Sequence, residues 1–480
     1  MPRIHRSTIA KLVLGCSLAM LVNHQATAVG FIVNPTSEVT GVANAGSAVY
    51  DNSVAAIHNN PAAMSLMPYK QMGGNLSVVI PDWSVDEDWD CREENNCASS
   101  NIGKIAAIPG LGLIRPMDRG FTWGVGLAAI AGQGVDYGDS WKGRAIVRDN
   151  GVSVLGLMNS VSWRMNDQWT FGAGVGVIYG EFYQKQDLPS LSASAGDDLE
   201  SVIEFVGLAE DCQGLPLPLL AVCLGNAVDD SGLDPESAAE TIGSIRSYLG
   251  GDRGTHVKLE GDDLGGELTL GATYEFRPGH RLGMVYHHTS NFTFEGDATI
   301  NGQLLSDEER QTPHMTLDWN MPDRLVVSGS HQATDRLRLY WDFERVYFNT
   351  FKTTNLRMDG YPRVVIDRNF KDADRYALGT EYSPNEKLTL QFGVSFDESP
   401  VDDADRMPDI PVDEIVKTMF GAIYQPTKRF HVHGYAAVEF LGDSKIEQLA
   451  SIHGNKIGDS VKLESDATIY VLGASFNYRF

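Results

Sequence analysis

A period of two constrains this chain more than any other feature. From about residue 72 apolar side chains recur at alternate positions, segment after segment. No stretch after the N-terminus reaches the roughly 18 consecutive apolar residues that a spanning helix requires. Trp169, Phe171, Ala173, Val175, Val177 and Tyr179 share one face, against Thr170, Gly172, Gly174, Gly176 and Gly180 on the other. Leu337, Leu339, Trp341 and Phe343 oppose Arg338, Tyr340, Asp342 and Glu344, and Leu388 to Asp397 follows the same rule. The last strand carries Tyr470, Leu472, Ala474, Phe476, Tyr478 and the terminal Phe480 on one face. Such strands have one face fit for lipid and one for a polar or tightly filled interior. A soluble sandwich alternates too. Aromatic residues at strand ends and a closing strand that stops on Phe favour a membrane barrel.

Compact turn-rich stretches alternate with long polar ones. Pro116–Gly120, Met165–Gln168, Arg277–His280, Ala333–Arg336, Ser383–Glu386 and Gln425–Lys428 predict tight turns. Between them fall long loops at roughly 82–102, 131–145, 184–254, 292–314, 350–368, 398–411 and 442–465. The count gives an all-β, transmembrane antiparallel barrel of about 14 strands over 75–480, its long loops outside. The largest loop, 184–254, holds the apolar run Leu215–Leu224 and a candidate amphipathic helix, Pro235–Leu249. An ordered apolar cap is expected there.

Residues 1–28 have the three parts of a secretory signal: basic Arg3, Arg6 and Lys11, an apolar core from Leu12 to Val22, and the small Ala26-Thr27-Ala28. Processing at Cys16 as a lipoprotein is disfavoured, because Leu14 is bulky where a small residue is needed. Residues 29–74 differ from everything after them. Small, polar and poor in charge, they show neither strand alternation nor a helical stripe, and are expected to form a hatch inside the barrel.

The formal net charge of −25 argues against nucleic acid as a partner. Four cysteines remain beyond the signal, in two local pairs, and the simplest pairing joins Cys91 to Cys97 and Cys212 to Cys223. Neither pair has the tight spacing and partners of a zinc site, and no metal or cofactor is expected. His431 and His433 share the inner face of one strand and read as polar lumen residues rather than ligands. Acidic clusters such as Asp86-Glu87-Asp88 and Asp402-Asp403 lack calcium-loop spacing and read as solvated loops. Gly-Asp-Ser at 138–140, 442–444 and 458–460 resembles an esterase signature but has no convincing histidine partner. A barrel phospholipase or esterase, and an adhesin or receptor, are the alternative functions; no enzyme activity is expected.

Several stretches resemble the FadL-type outer-membrane transporters of long-chain fatty acids and aromatic hydrocarbons. They are Val29-Gly30-Phe31, Ala43 to Ala48, Asn60-Pro61-Ala62, Ile108 to Gly112, Ser162-Trp163-Arg164, Leu270 to Glu275 and Met321-Pro322-Asp323. The resemblance implies a multi-pass protein of the bacterial outer membrane in which a hatch plugs a barrel of fourteen strands. Hydrophobic compounds would diffuse through it passively, captured at the outer loops, held in a pocket near the N-terminus and released sideways beside a kinked third strand. That strand is read as Phe121–Ala131, with Gly124 and Gly126 either kinking it or making room for the hatch. Physics asks for such a route, since moving a chain through water costs about 0.8 kcal/mol per CH₂. Phe31, Ile32, Ile130 and Ile178 are the expected pocket residues, and Asn60, Pro61 and Ala62 the hatch motif. The expected partners are a hydrophobic small molecule, outer-membrane lipid and lipopolysaccharide, and the chain is expected to act as a monomer.

Overall fold

In the computed structural model, residue 32 and residues 37–88, 91–94, 97–190, 251–301, 311–361, 363–452 and 455–480 are described. Eighteen strands make one antiparallel sheet. They are β1 (Gln71–Glu87), β2 (Ala106–Pro116), β3 (Phe121–Gln133), β4 (Asp149–Arg164), β5 (Trp169–Ser190), β6 (Gly251–Arg277), β7 (His280–Thr289), β8 (Phe292–Asn301) and β9 (His314–Trp319). There follow β10 (Arg324–Thr334), β11 (Leu337–Val346), β12 (Thr353–Met358), β13 (Val364–Asp367), β14 (Ala373–Asn385), β15 (Leu388–Asp397), β16 (Ile415–Thr427), β17 (Phe430–Ile452) and β18 (Asn455–Arg479). Fourteen of them close into a ring, the last strand pairing with the first from Gln71↔Arg479 to Glu87↔Leu463. Closure gives every ring strand two neighbours, as a lipid surrounding favours.

The remaining four, β8, β9, β12 and β13, branch from the long-loop end of β6, which pairs with β8 from His256↔Asn301 to Asp262↔Glu295. The expected loops at 292–314 and 350–368 therefore contain strands, and the region 442–465 is largely a continuation of the β17–β18 hairpin. The expectation failed there because these strands rise beyond the apolar band, where an outward side chain no longer has to be apolar. Of the two aromatics expected at the ends of β5, Trp169 begins the strand, but Tyr179 lies within it, since β5 runs on to Ser190. Residues 191–250, with Cys212, Cys223 and the candidate helix, lie outside the described residues. Cys91 and Cys97 form a disulfide in the loop after β1.

The alternation sorts side chains as the period of two requires. Val175 on β5 is 62% exposed and Thr170 on the same strand 3%. Leu378, Phe420, Leu472 and Phe480 face out, while Asp342, Glu344, Asp397 and Asn477 are buried inside. Near the short turns Trp169 stacks on Tyr274 at 4.4 Å between ring centres, and Lys70 lies 4.4 Å over the Phe480 ring. The amphipathic rings of Trp169 and Tyr274 mark one rim of the apolar band.

Residues 37–67 fold as short turns, Glu38–Val42, Ala56–Asn59 and Pro61–Leu66, inside the ring. Their partners come from strands on every side: Ser475 on β18, Gln391 on β15, Ser328 on β10, Thr170 on β5 and Ser160 on β4. Backbone meets backbone at some of these contacts. A Cβ on Gly172 would sit 2.2 Å from the Ala62 nitrogen, and one on Gly393 2.2 Å from the Val42 carbonyl carbon. The glycine-rich inner faces thus admit the segment. Inside it, Gly46 has φ +77 and packs against the Tyr340 ring, a left-handed position closed to larger residues.

Candidate functional site

Among the described residues the shortest ladder in the ring is the one between β2 and β3. Their ladder runs only from Pro116↔Thr122 to Gly110↔Ala128. Beyond it Ala106–Pro109 pairs with β1 alone, and Ala129–Gln133 with β4 alone. A register shift between Ala129 and Ala131 makes Ile130 the extra residue of a bulge. Pro109 stands on the stretch of β2 that pairs with β1 alone, so its missing N–H costs no bond toward β3. An isolated bridge, Gly103↔Val135, closes the window at the outer side, and Ile32 bridges to Ala131 along the free edge of β3.

Inside this window Ile32, Ile130 and Ile178 belong to one buried apolar cluster with Val152, Val154 and Phe182. Ile130 and Ile178 close over Gly156, whose Cβ would lie 3.4 and 3.5 Å from them. Three of the four expected pocket residues are thus brought together, and Phe31 lies outside the described residues. The cluster continues outward through rings that the sequence reading did not select. Phe182 lies 5.8 Å from Phe294 and 6.4 Å from Trp319, and Trp319 4.9 Å from Phe351, between ring centres. Their signal was available as the alternating Phe292 and Phe294 inside a segment read as loop. A continuous apolar column therefore leads from the outer branch of β8, β9 and β12 to the interrupted ladder.

A strap between β15 and β16 lies across the same region. Asp409 on it forms a buried two-pronged ion pair with Arg368, at 2.7 and 2.6 Å. Its carbonyl accepts from Gln133 at 3.2 Å and from Asn150 at 2.7 Å, at the outer ends of β3 and β4. Arg406, fully buried, fastens the strap to itself through Asp413 at 3.0 Å and the Val412 carbonyl at 2.8 Å.

Gly124 and Gly126 lie below the window in regular register, opposite Ile114 and Gly112. A Cβ on Gly124 would meet Met64 Sδ at 2.6 Å, and one on Gly126 His58 Nε2 at 3.1 Å. Both positions therefore receive the N-terminal segment, and the bulge sits further along at Ile130. Asn60 caps the turn that follows it, its Oδ1 accepting from Ala62 N at 3.0 Å, while its Nδ2 donates to Ala48 O at 2.7 Å. Pro61 stands at the first position of that turn, and the Ala62 carbonyl accepts from Thr170 at 3.0 Å.

The opposite half of the lumen is charged. Glu38 lies 3.1 Å from His431 Nε2 and accepts from Ser475 at 3.1 Å, and its carbonyl accepts from Gln391 at 3.0 Å. Burial alone would raise its pKa, but the hydrogen bond and charge of His431 hold it down at about 2. Arg375 sits among Asp397, Glu344 and Asp342 at 3.3, 3.5 and 3.8 Å and donates to the Ala43 carbonyl. His431 and His433 thus serve a polar lumen, His431 as a direct partner of the N-terminal segment.

The family described as outer membrane protein transport protein (OMPP1/FadL/TodX) matches residues 19–480. The long-chain fatty acid transport protein of Escherichia coli is 23% identical over 96% of either chain, and outer membrane protein P1 of Haemophilus influenzae 22% over 92%. Among solved structures, a FadL homologue of Pseudomonas aeruginosa superposes with a TM-score of 0.74 at 19% identity, over 94% of this chain and 100% of its own. The toluene transporter TodX of Pseudomonas putida does so at 0.62 and 18%, over 94% and 99%. The chain belongs to the OMPP1/FadL/TodX family of outer-membrane transport proteins, a family of transporters and not of enzymes.

Proposed function

We propose that this chain is a passive channel through which hydrophobic compounds, long-chain fatty acids or hydrocarbons, enter across the outer membrane. The observation that carries the route is the coincidence of two features: the shortest ladder between neighbouring ring strands among the described residues, and the apolar column that ends at it. A ligand taken from the outer branch would pass along Phe294, Phe182 and Ile178 to Ile130 and Ile32, and leave between β2 and β3 into the bilayer. No step of that path carries the apolar chain through water. Residues 29–74 act as the hatch, with the Phe31–Ile32 end lining the pocket, Asn60-Pro61-Ala62 shaping its turn, and Gly124 and Gly126 seating it. The expected loop 184–254 contributes to capture outside. The chain works as a monomer among lipid and lipopolysaccharide.

Uptake tests this reading. In cells lacking their own transporters, expression of this chain should raise entry of radiolabelled oleate or of a labelled aromatic hydrocarbon. Unchanged entry of every such compound would sink the proposal.

A further inference from the structure

Below the apolar cluster the inner face of β6 turns polar within one step. A Cβ on Gly265 would lie 3.0 Å from the Ile178 side chain, and the next inward residues, Glu267 and Thr269, are both buried. Glu267 Oε1 lies 3.4 Å from His287 Nδ1, and Thr269 Oγ1 3.2 Å from the same nitrogen. From the N-terminal segment His58 enters this place, its Nε2 standing where a side chain on Gly126 would go and its ring feeling the charges of Glu267, His287 and Arg324. Arg324 is engaged, donating to Glu344 at 3.2 Å.

Three valences here are unmet. His58 is 4% exposed, and neither ring nitrogen reaches a partner in good hydrogen-bond geometry, the Gly126 backbone being a polar neighbour; Glu267 Oε2 has no partner either. Burial holds the imidazole of His58 neutral, with a pKa of about 4, so it offers one N–H donor and one acceptor nitrogen. The carboxylate oxygen adds a second acceptor. Polar atoms buried in this way are ordinarily matched by some partner.

We infer that this polar floor is a subsite for the headgroup of hydrophobic ligands bearing a hydroxyl, such as fatty alcohols and alkylphenols, in preference to carboxylates. The inference rests on the proposed uptake function. A hydroxyl gives its proton to Glu267 or to the acceptor nitrogen of His58, and its lone pairs take the His58 N–H. A carboxylate brings only acceptors, beside Glu267, whose Oε2 already lacks a donor. An alkane leaves all three valences unmet, and an ammonium leaves the His58 N–H without an acceptor.

The test uses the full chain in amphipol, with labelled 1-dodecanol, dodecanoate and dodecane as probes in equilibrium dialysis at pH 7. The alcohol should bind about tenfold more tightly than either other probe, the worth of one restored buried hydrogen bond. His58→Leu should cut the alcohol's advantage over dodecane at least several-fold, and Glu267→Gln should raise dodecanoate toward the alcohol. Heat-modifiable migration on gels identifies the folded variants. Equal affinities for all three probes, the result if water alone occupies the floor, would overturn the inference, as would tightest binding of dodecanoate or a preference unchanged in both folded variants. If no probe binds, the uptake reading itself falls.

Discussion

Replacing Glu38 by Gln removes the charge by which the N-terminal segment is fastened to β17. The carboxyl is held at about 2 against an ordinary 4.5, which corresponds to about 3 kcal/mol of folded-state stabilisation at neutral pH. The sign follows from the depressed value: the contribution is complete above about pH 5 and is lost as the pH falls toward 2. Breaking one side of a buried pair elsewhere costs a similar amount, about 3–5 kcal/mol. The ring of strands does not depend on this contact, so the loss should fall on the segment. Hydrogen exchange followed by mass spectrometry should show protection of amides in 37–67 reduced about a hundredfold in Glu38→Gln at pH 7, with β14 to β18 unchanged. The wild type should lose part of the same protection at pH 3. Equal protection of the segment in both proteins at pH 7 would refute the reasoning.

Other substitutions separate packing from charge. Gly172→Val drives a side chain into the Ala62 backbone and should destabilise the folded chain by about 1–3 kcal/mol, whereas Gly434→Val, with nothing within 4 Å of its Cβ, should be nearly silent; urea titration of heat-modifiable migration compares them. Asp409→Ala leaves Arg368 buried without its partner and should cost about 3–5 kcal/mol locally, read as faster exchange of strap amides in 398–414.

The parts of the fold that were legible in the sequence are those where lipid imposes a strict rule. Wherever a strand crosses the apolar band its outward residues must be apolar, so Val175, Leu378 and Phe420 could be placed from spacing alone. Once a strand rises past that band the rule relaxes, and β8, β9, β12 and the upper β17–β18 hairpin passed for loops. Ile130 and Ile178 stood out because large apolar residues interrupt glycine-rich inner faces. The interruption of the wall left a different trace. The glycines in β3 drew attention, yet the bulge falls at Ile130, among Ala129 and Ala131, whose side chains carry no turn signal. Nor could spacing reveal the approach of His58 to Gly126 or the pairing of Arg368 with Asp409, because each joins segments far apart in the chain.

Deletion of Ile130 tests the lateral route most directly. It removes the extra residue of the bulge, so that β3 can continue in register with β4 and present its free edge to β2. Uptake of a labelled hydrophobic compound by cells, compared with its binding to the purified variant, is the measurement. The account predicts that uptake falls at least several-fold and by clearly more than binding, since the rest of the apolar column stays in place. Uptake at the wild-type rate by a folded variant would contradict a path between β2 and β3.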